Sequence, residues 1–148
     1  MSESFYHKLI GAEPAKVRSN TERGGGEAIA IGDDGVVRAE TLEGTGESEG
    51  VLVVRDADGT TLVFNDAVFN MPHAPGFSGF VLRYLTASSG GPRISRVARL
   101  FVVKDKSALR AHLERLAALP SLVRAIVSHH ETIAGDVGRT LRDVAATL

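Results

Sequence analysis

Two apolar runs joined by a polar turn form the clearest pattern in the chain. In VLVVRDADGTTLVFND, residues 51–66, the runs flank Asp56-Ala57-Asp58-Gly59, and the Asp-Gly pair favours a tight hairpin. The runs are continuous rather than alternating, which is typical of strands covered on both faces. The pattern therefore predicts a β-hairpin inside a sheet with helices packed on it.

Apolar spacing predicts further strands and helices on both sides of this hairpin. They are a helix over residues 3–11, a short strand over 15–18, strands over 28–31 and 36–42, helical turns over 79–87 and 94–101, a helix over 107–118, a strand in LVRAIVSHH (122–130), and a terminal helix capped by Asp136. This order predicts one α+β (layered α/β) domain over residues 1–148, built on a mixed sheet.

Composition narrows the class of protein. The 148 residues are 43% hydrophobic, which excludes a mainly disordered chain and allows a real core. No apolar run reaches the length of a membrane span, and the N-terminus lacks the pattern of a signal peptide. The absence of cysteine excludes disulfides, zinc fingers and a cysteine nucleophile. We expect a cytoplasmic protein with no membrane partner.

Charge is unevenly distributed although the net charge is only -1. Residues 27–58 are rich in acids, and residues 93–115 are rich in bases. Arg93, Arg96 and Arg99 follow each other at helical spacing and form a candidate binding surface for an anionic partner; the alternative is an ordinary solvated face. Nucleic acid is not the expected partner, because the chain is slightly acidic and carries no nucleic-acid motif.

Asp66 and His129 are the candidate metal ligands. Each comes just after a predicted buried strand, and sites in layered α/β folds collect at such strand ends. A carboxylate with an imidazole suits zinc, iron or manganese. The alternatives are a turn or cap role for Asp66, and a pair of histidines, His129 and His130, of which one packs and the other faces water.

The segment LEGTGESEGVLVVRDADGTTLVFNDAVF resembles the middle of metallo-β-lactamase-fold hydrolases, where a Gly-His loop, a strand, a D-G hairpin and a strand ending in Gly-Asp follow each other. LVRAIVSHHE is similar to their late strand, which ends in Gly-His-Gly. The resemblance spans residues 1–148 and is closest to an uncharacterised, metal-motif-poor branch. It implies part of an αββα sandwich, with Asp66 as a metal-bridging ligand and His129 as a ligand of the second metal.

The chain departs from the family at several positions. The defining H-x-H-x-D-H motif is absent, and its place would lie before residue 1. The histidine of the Gly-His loop falls at or near Thr45, and Asn65 stands where the family has glycine. The chain thus resembles a version without the N-terminal part of the fold, or one whose true start lies upstream. A missing half would leave one flank of the sheet open, for a homodimer or another chain to cover.

Three functions remain as hypotheses. The first is a degenerate metallo-β-lactamase-like domain without catalysis or cofactor, acting as a scaffold or binding domain. The second is a metal-dependent hydrolase completed by another chain or a missing N-terminal segment. In it Asp66 and His129 bind zinc, iron or manganese, while Asn65, His130 and Glu131 orient these ligands. The third is a protein-interaction module using the arginine surface.

Overall fold

The structure is a computed structural model that describes residues 28–31, 35–46, 48–128 and 130–148. The helix and strand expected over residues 3–11 and 15–18 lie outside these ranges. The strands are β1 (Ala28–Ile31), β2 (Gly35–Thr41), β3 (Gly50–Asp56), β4 (Gly59–Phe64), β5 (Phe69–Met71), β6 (Gly91–Arg93), β7 (Leu122–Ile126) and β8 (Ile133–Ala134). The helices are α1 (Gly76–Phe80), which continues as a π-helical turn (Val81–Leu85), α2 (Arg96–Phe101), α3 (Lys106–Ala117) and α4 (Val137–Ala146).

Six strands form one mixed sheet in the order β1-β2-β3-β4-β7-β8. All neighbours in it are antiparallel except β4 and β7, which are parallel. Strands β5 and β6 pair separately as a two-stranded antiparallel sheet. Together with the helices, this arrangement confirms the predicted α+β fold with a mixed sheet.

The predicted hairpin of β3 and β4 is confirmed, and its turn has a clear local cause. The carboxylate of Asp56 accepts hydrogen bonds from the backbone N–H groups of Asp58, at 2.9 Å, and Gly59, at 3.2 Å. Gly59 has a φ of 131°, which side-chain-bearing residues rarely adopt. The turn sets the register Asp56↔Gly59 through Val51↔Phe64.

The two long helices begin at acidic caps and pack their apolar stripes on the sheet. The Asp105 carboxylate accepts from Ser107 and Ala108 N–H at the start of α3, and Asp136 accepts from Arg139 N–H at the start of α4, as predicted. Leucines of both helices are fully buried. No helix in the described part of the chain is long and apolar enough to cross a membrane.

The hydrophobic core lies on one side of the sheet. Cross-strand pairing places Val51, Val53, Leu62, Phe64 and Ala125 on one face, and all five are buried in the core with α3 and α4. The opposite face carries a second set of apolar side chains, which lie outside that core cluster: Val37, Ala39, Leu52, Val54, Val63 and Ile126. Among the described residues, helices α3 and α4 pack on the core face, and coverage of both faces stays a prediction for the whole chain.

The helical spacing predicted for the three arginines is only partly realised. Arg93 is the last residue of β6, and Ser95 then caps α2 by accepting a hydrogen bond from Ala98 N–H. Because this cap starts the helix at Arg96, only Arg96 and Arg99 share it. The helix expected over residues 79–87 corresponds to α1 with its π-helical turn, which together run from Gly76 to Leu85.

Candidate functional site

The parallel pair β4 and β7 brings the two predicted ligand segments to the same edge of the sheet. Val63 pairs with Ile126, so Asp66 and His129 each follow a paired residue by three positions. His129 lies outside the described residues. Its neighbour Ser128 donates a hydrogen bond from Oγ to the carbonyl oxygen of Phe64, at 3.3 Å. The loop that follows β7 therefore runs beside the end of β4.

The backbone of Asp66 contacts a second carboxylate, that of Glu49, at this edge. The side chain of Asp66 is exposed, and the backbone N–H of Asp66 donates to Glu49 Oε2 at 2.9 Å. Glu49 is only 5% exposed. Burial raises the pKa of the Glu49 carboxyl group and the Asp66 charge adds to that rise, while hydrogen bonds from the N–H of Asp66 and the side chain of Asn65 oppose it. The net effect is a raised pKa of Glu49.

Glu49 is the residue that reasoning from the sequence missed. It appears there as one of several acids in GESEG, a glycine-rich stretch that looks like solvated loop. The signal that could have identified it is its position directly before β3, since β3 pairs antiparallel with β4 and its start faces the end of β4.

The three residues predicted to orient the ligands divide into two groups. Asn65 hydrogen-bonds the buried Glu49 carboxylate. His130 and Glu131 instead join the loop after β7 to Asn70 of β5: His130 forms a bridge with Asn70, and Glu131 N–H donates to Asn70 O at 3.2 Å. The Asn70 side chain donates in return to Glu131 O at 2.8 Å. The side chains of His130 and Glu131 are exposed, and these contacts use their backbones.

The donors at this edge do not complete a catalytic metal site within the described part of the chain. No group of three or more histidine and acidic side chains there is close enough to hold a metal ion. Thr45, at the place of the family's loop histidine, is fully buried and donates its hydroxyl to Leu42 O at 2.6 Å. A catalytic zinc site needs three protein ligands and an open position. The described residues therefore do not fit a zinc hydrolase centre by themselves.

A separate buried ionic cluster joins β2 to α3. Glu40 and His112 are 5% and 2% exposed, respectively. Glu40 Oε2 lies 2.7 Å from Arg115 Nη2 and 3.3 Å from His112 Nε2, and Glu40 Oε1 lies 2.6 Å from Arg38 Nη2. His112 Nδ1 accepts a hydrogen bond from the N–H of Glu43 at 3.0 Å. His112 Nε2 also lies 2.8 Å from Arg115 Nη2, so the imidazole contacts both partners of the Glu40–Arg115 ion pair.

Opposing effects act on the Glu40 carboxyl group. Burial alone would raise its pKa. The hydrogen bonds from His112 and Arg115, with the charges of Arg115 and Arg38, outweigh burial and lower the pKa to about 2. Glu40 therefore stays ionised at neutral pH, and the cluster is built to hold the sheet against the helix.

The three arginines of the candidate binding surface are each held by the fold. Arg93 Nη2 donates to Gly90 O at 2.8 Å, and Arg96 Nη1 donates to Tyr84 O at 2.9 Å. Arg99 donates from Nε to Ile94 O at 3.2 Å and from Nη2 to Thr147 Oγ1 at 2.8 Å. Because carbonyl and hydroxyl groups do not neutralise a guanidinium, each arginine keeps its charge in a fixed position.

No protein-family model matches the chain, and no curated protein sequence matches it either. The resemblance to metallo-β-lactamase-fold hydrolases therefore rests on the motifs quoted above.

Proposed function

We propose that this protein is a binding domain without catalysis of its own, a degenerate metallo-β-lactamase-like layer that associates through its sheet. The observation that carries the proposal is the second face of the sheet, which we call the open sheet face and define as Ala39, Leu52, Val54, Val63 and Ile126. These apolar side chains lie outside the core cluster; Ile126 is 39% exposed and the other four are half-buried. Apolar surface of this kind is typical of a protein–protein contact.

The partner that best fits this face is a second copy of the chain. Two sheets pack face to face about 10 Å apart when both inner faces are apolar, which would give an αββα arrangement of two chains. Four strands with a spacing of about 4.8 Å and a length of about seven residues present roughly 450 Å² per copy. The roughly 900 Å² that two copies bury lies below the size of stable specific interfaces and in the range of weak, transient ones. We therefore expect a dimer that dissociates on dilution.

Sedimentation velocity over a range of protein concentrations tests this proposal. The wild-type chain should shift from monomer to dimer as concentration rises, and Val63→Lys should remain monomeric because it places a charge in the apolar interface. Val36→Lys is the matched control: Val36 pairs with Arg55, so it lies on the opposite face, and it is already 45% exposed. A wild-type chain that stays monomeric throughout would refute the second copy as partner.

The arrangement around Thr45 supports the absence of catalysis. Its hydroxyl is tied to a backbone carbonyl, and the donors described at the edge comprise an exposed aspartate and a buried glutamate that is hydrogen-bonded to the backbone. A zinc-bound water would need more ligands than these residues supply.

The second candidate is a metal-dependent hydrolase whose remaining ligands come from another chain or a preceding segment. One observation favours it: the parallel pairing of β4 and β7 sets Asp66 and the segment containing His129 at one edge. Elemental analysis of purified protein separates the candidates. The hydrolase should hold stoichiometric zinc, iron or manganese, which Asp66→Asn and His129→Ala should remove, whereas the control Asp58→Asn in the hairpin turn should not. The binding domain should contain no stoichiometric metal.

A further inference from the structure

A second exposed apolar surface lies on α1 and α2, away from the core. On α1 and its π-helical turn, Phe77 is 84% exposed, and Phe80, Tyr84 and Leu85 are all more than half exposed. On α2 the corresponding side chains are Val97, Leu100 and Phe101, of which Leu100 is 73% exposed. Gly79, Ile94 and Ala98 face inward and are buried. We call these seven exposed side chains the helical apolar surface.

Hydrogen bonds hold the two helices together as one unit. Arg96 N–H donates to Thr86 O at 2.8 Å, and the Arg96 guanidinium donates to Tyr84 O at 2.9 Å. The rings of Phe80 and Tyr84 lie 5.0 Å apart, and the Arg83 guanidinium lies 5.2 Å from the centre of the Tyr84 ring. The helical apolar surface is therefore presented by a braced element, with a cation beside its tyrosine.

The chain segment that forms this surface carries charge of one sign. Residues 76–104 contain five basic residues (Arg83, Arg93, Arg96, Arg99 and Lys104) and no acidic residue. In the ion pairs formed between described residues, none of these five takes part. Exposed aromatic and aliphatic groups among unpaired cations match an interface that is both apolar and anionic.

We propose that the helical apolar surface docks this protein on an anionic lipid bilayer. Phe77 and Leu100 would enter the boundary between headgroups and acyl chains, Tyr84 would lie at headgroup level, and the arginines would contact lipid phosphates. A second copy is a poorer occupant of this surface, because it would oppose two sets of five cations. The expectation of no membrane partner came from the absence of a spanning segment, and surface docking requires none.

This inference does not depend on the proposed dimer, which uses the open sheet face and none of the residues of the helical apolar surface. Flotation of the full chain with vesicles tests it directly. One vesicle type contains phosphatidylcholine alone, and the other contains phosphatidylcholine and phosphatidylserine in a three-to-one ratio. The protein should float with the anionic vesicles and not with the neutral ones, and added salt should weaken the binding.

Variants at exposed positions assign the binding to this surface without disturbing the core. Phe77→Ser and Leu100→Ser should each lower the partition coefficient roughly tenfold. Arg83→Glu should lower it at least about fivefold, because it replaces an attraction to anionic lipid by a repulsion. The matched controls are Ile126→Ser on the open sheet face and Arg139→Glu on α4, and neither should change flotation.

Several results would overturn the proposal. These are no flotation with either vesicle type, equal flotation with both types, or equal losses in the control variants. Binding to immobilised polyglutamate without binding to vesicles would also overturn it, since that would identify an acidic peptide as the ligand. The dimer is judged separately, because Val63→Lys should abolish dimerisation and leave flotation with anionic vesicles intact.

Discussion

Replacing Glu40 by glutamine tests whether the buried ionic cluster fastens β2 to α3. The Glu40 side chain is 3% exposed and receives three cationic or polar groups, from Arg38, His112 and Arg115. Glutamine keeps the size of the side chain and removes its charge. The two guanidinium groups would then lose the only carboxylate with which either forms an ion pair among the described residues.

The pKa of Glu40 gives the size of the effect. Its fall from 4.5 to about 2 is a difference of about 2.5 units, and one unit corresponds to about 1.4 kcal/mol. The ionised carboxylate therefore stabilises the folded state by about 3 kcal/mol at neutral pH. Because the folded pKa is lowered, this contribution is complete above pH 4.5 and is lost as the pH falls from 4.5 towards 2.

Urea denaturation between pH 7 and pH 2 measures this contribution. Glu40→Gln should lower the free energy of unfolding by about 2–3 kcal/mol at pH 7, and its difference from wild type should shrink below pH 4.5. Glu43→Gln is the matched control, since Glu43 is 63% exposed and should change stability by less than about 0.5 kcal/mol. A Glu40→Gln difference that is this small at pH 7, or that persists unchanged at low pH, would refute the reasoning.

Three further predictions concern other positions in the fold. Glu49→Gln should unfold at the same temperature as wild type or a higher one at pH 7. Because the pKa of Glu49 is raised in the folded state, its contribution to stability is largest below pH 4.5 and is lost as the pH rises through the folded-state pKa. Thermal melts at pH 4 and pH 7 check the sign. Gly44→Ala should destabilise the fold far more than Gly135→Ala in chemical denaturation. Both glycines have a φ of 82°, so alanine costs about 1 kcal/mol of backbone strain at either position. Only at Gly44 would the added Cβ also overlap a neighbour, the carbonyl oxygen of Asp105. Leu113→Ala should cost about 2–5 kcal/mol by the same assay, because Leu113 is fully buried, and a loss below about 1 kcal/mol would contradict its place in the core.

Local signals predicted most of the regular structure. The Asp58-Gly59 turn, the strand pair around it and the cap at Asp136 depend on residues within a few positions of each other, and such signals can be read directly from the chain. The prediction that all three arginines lie on one helix was wrong for Arg93, because Ser95 caps the helix and starts it at Arg96. Three residues of β6 carry no periodicity by which to recognise a strand.

Features that depend on distant contacts were not predictable in this way. The continuous apolar runs of β3 and β4 do not distinguish the two faces of the sheet, and only the tertiary structure separates Val53, in the core, from Val54, on the open sheet face. Glu40 looks like a surface acid until the fold brings His112 of α3 against it. The strand-end positions of Asp66 and His129 were visible in the sequence, whereas the parallel pairing that brings their segments to one edge was not.

The single parallel junction in the sheet also has a kinetic consequence. Strands β2, β3 and β4 are sequential neighbours, with eight residues between β2 and β3 and two between β3 and β4, so they can pair while the rest of the chain is still unfolded. Strand β7 reaches β4 only after the chain from Asn65 to Ser121 has closed into a loop, which carries a larger entropy cost. The β3–β4 turn should therefore influence the folding rate, whereas contacts between α4 and β7 should mainly influence the unfolding rate.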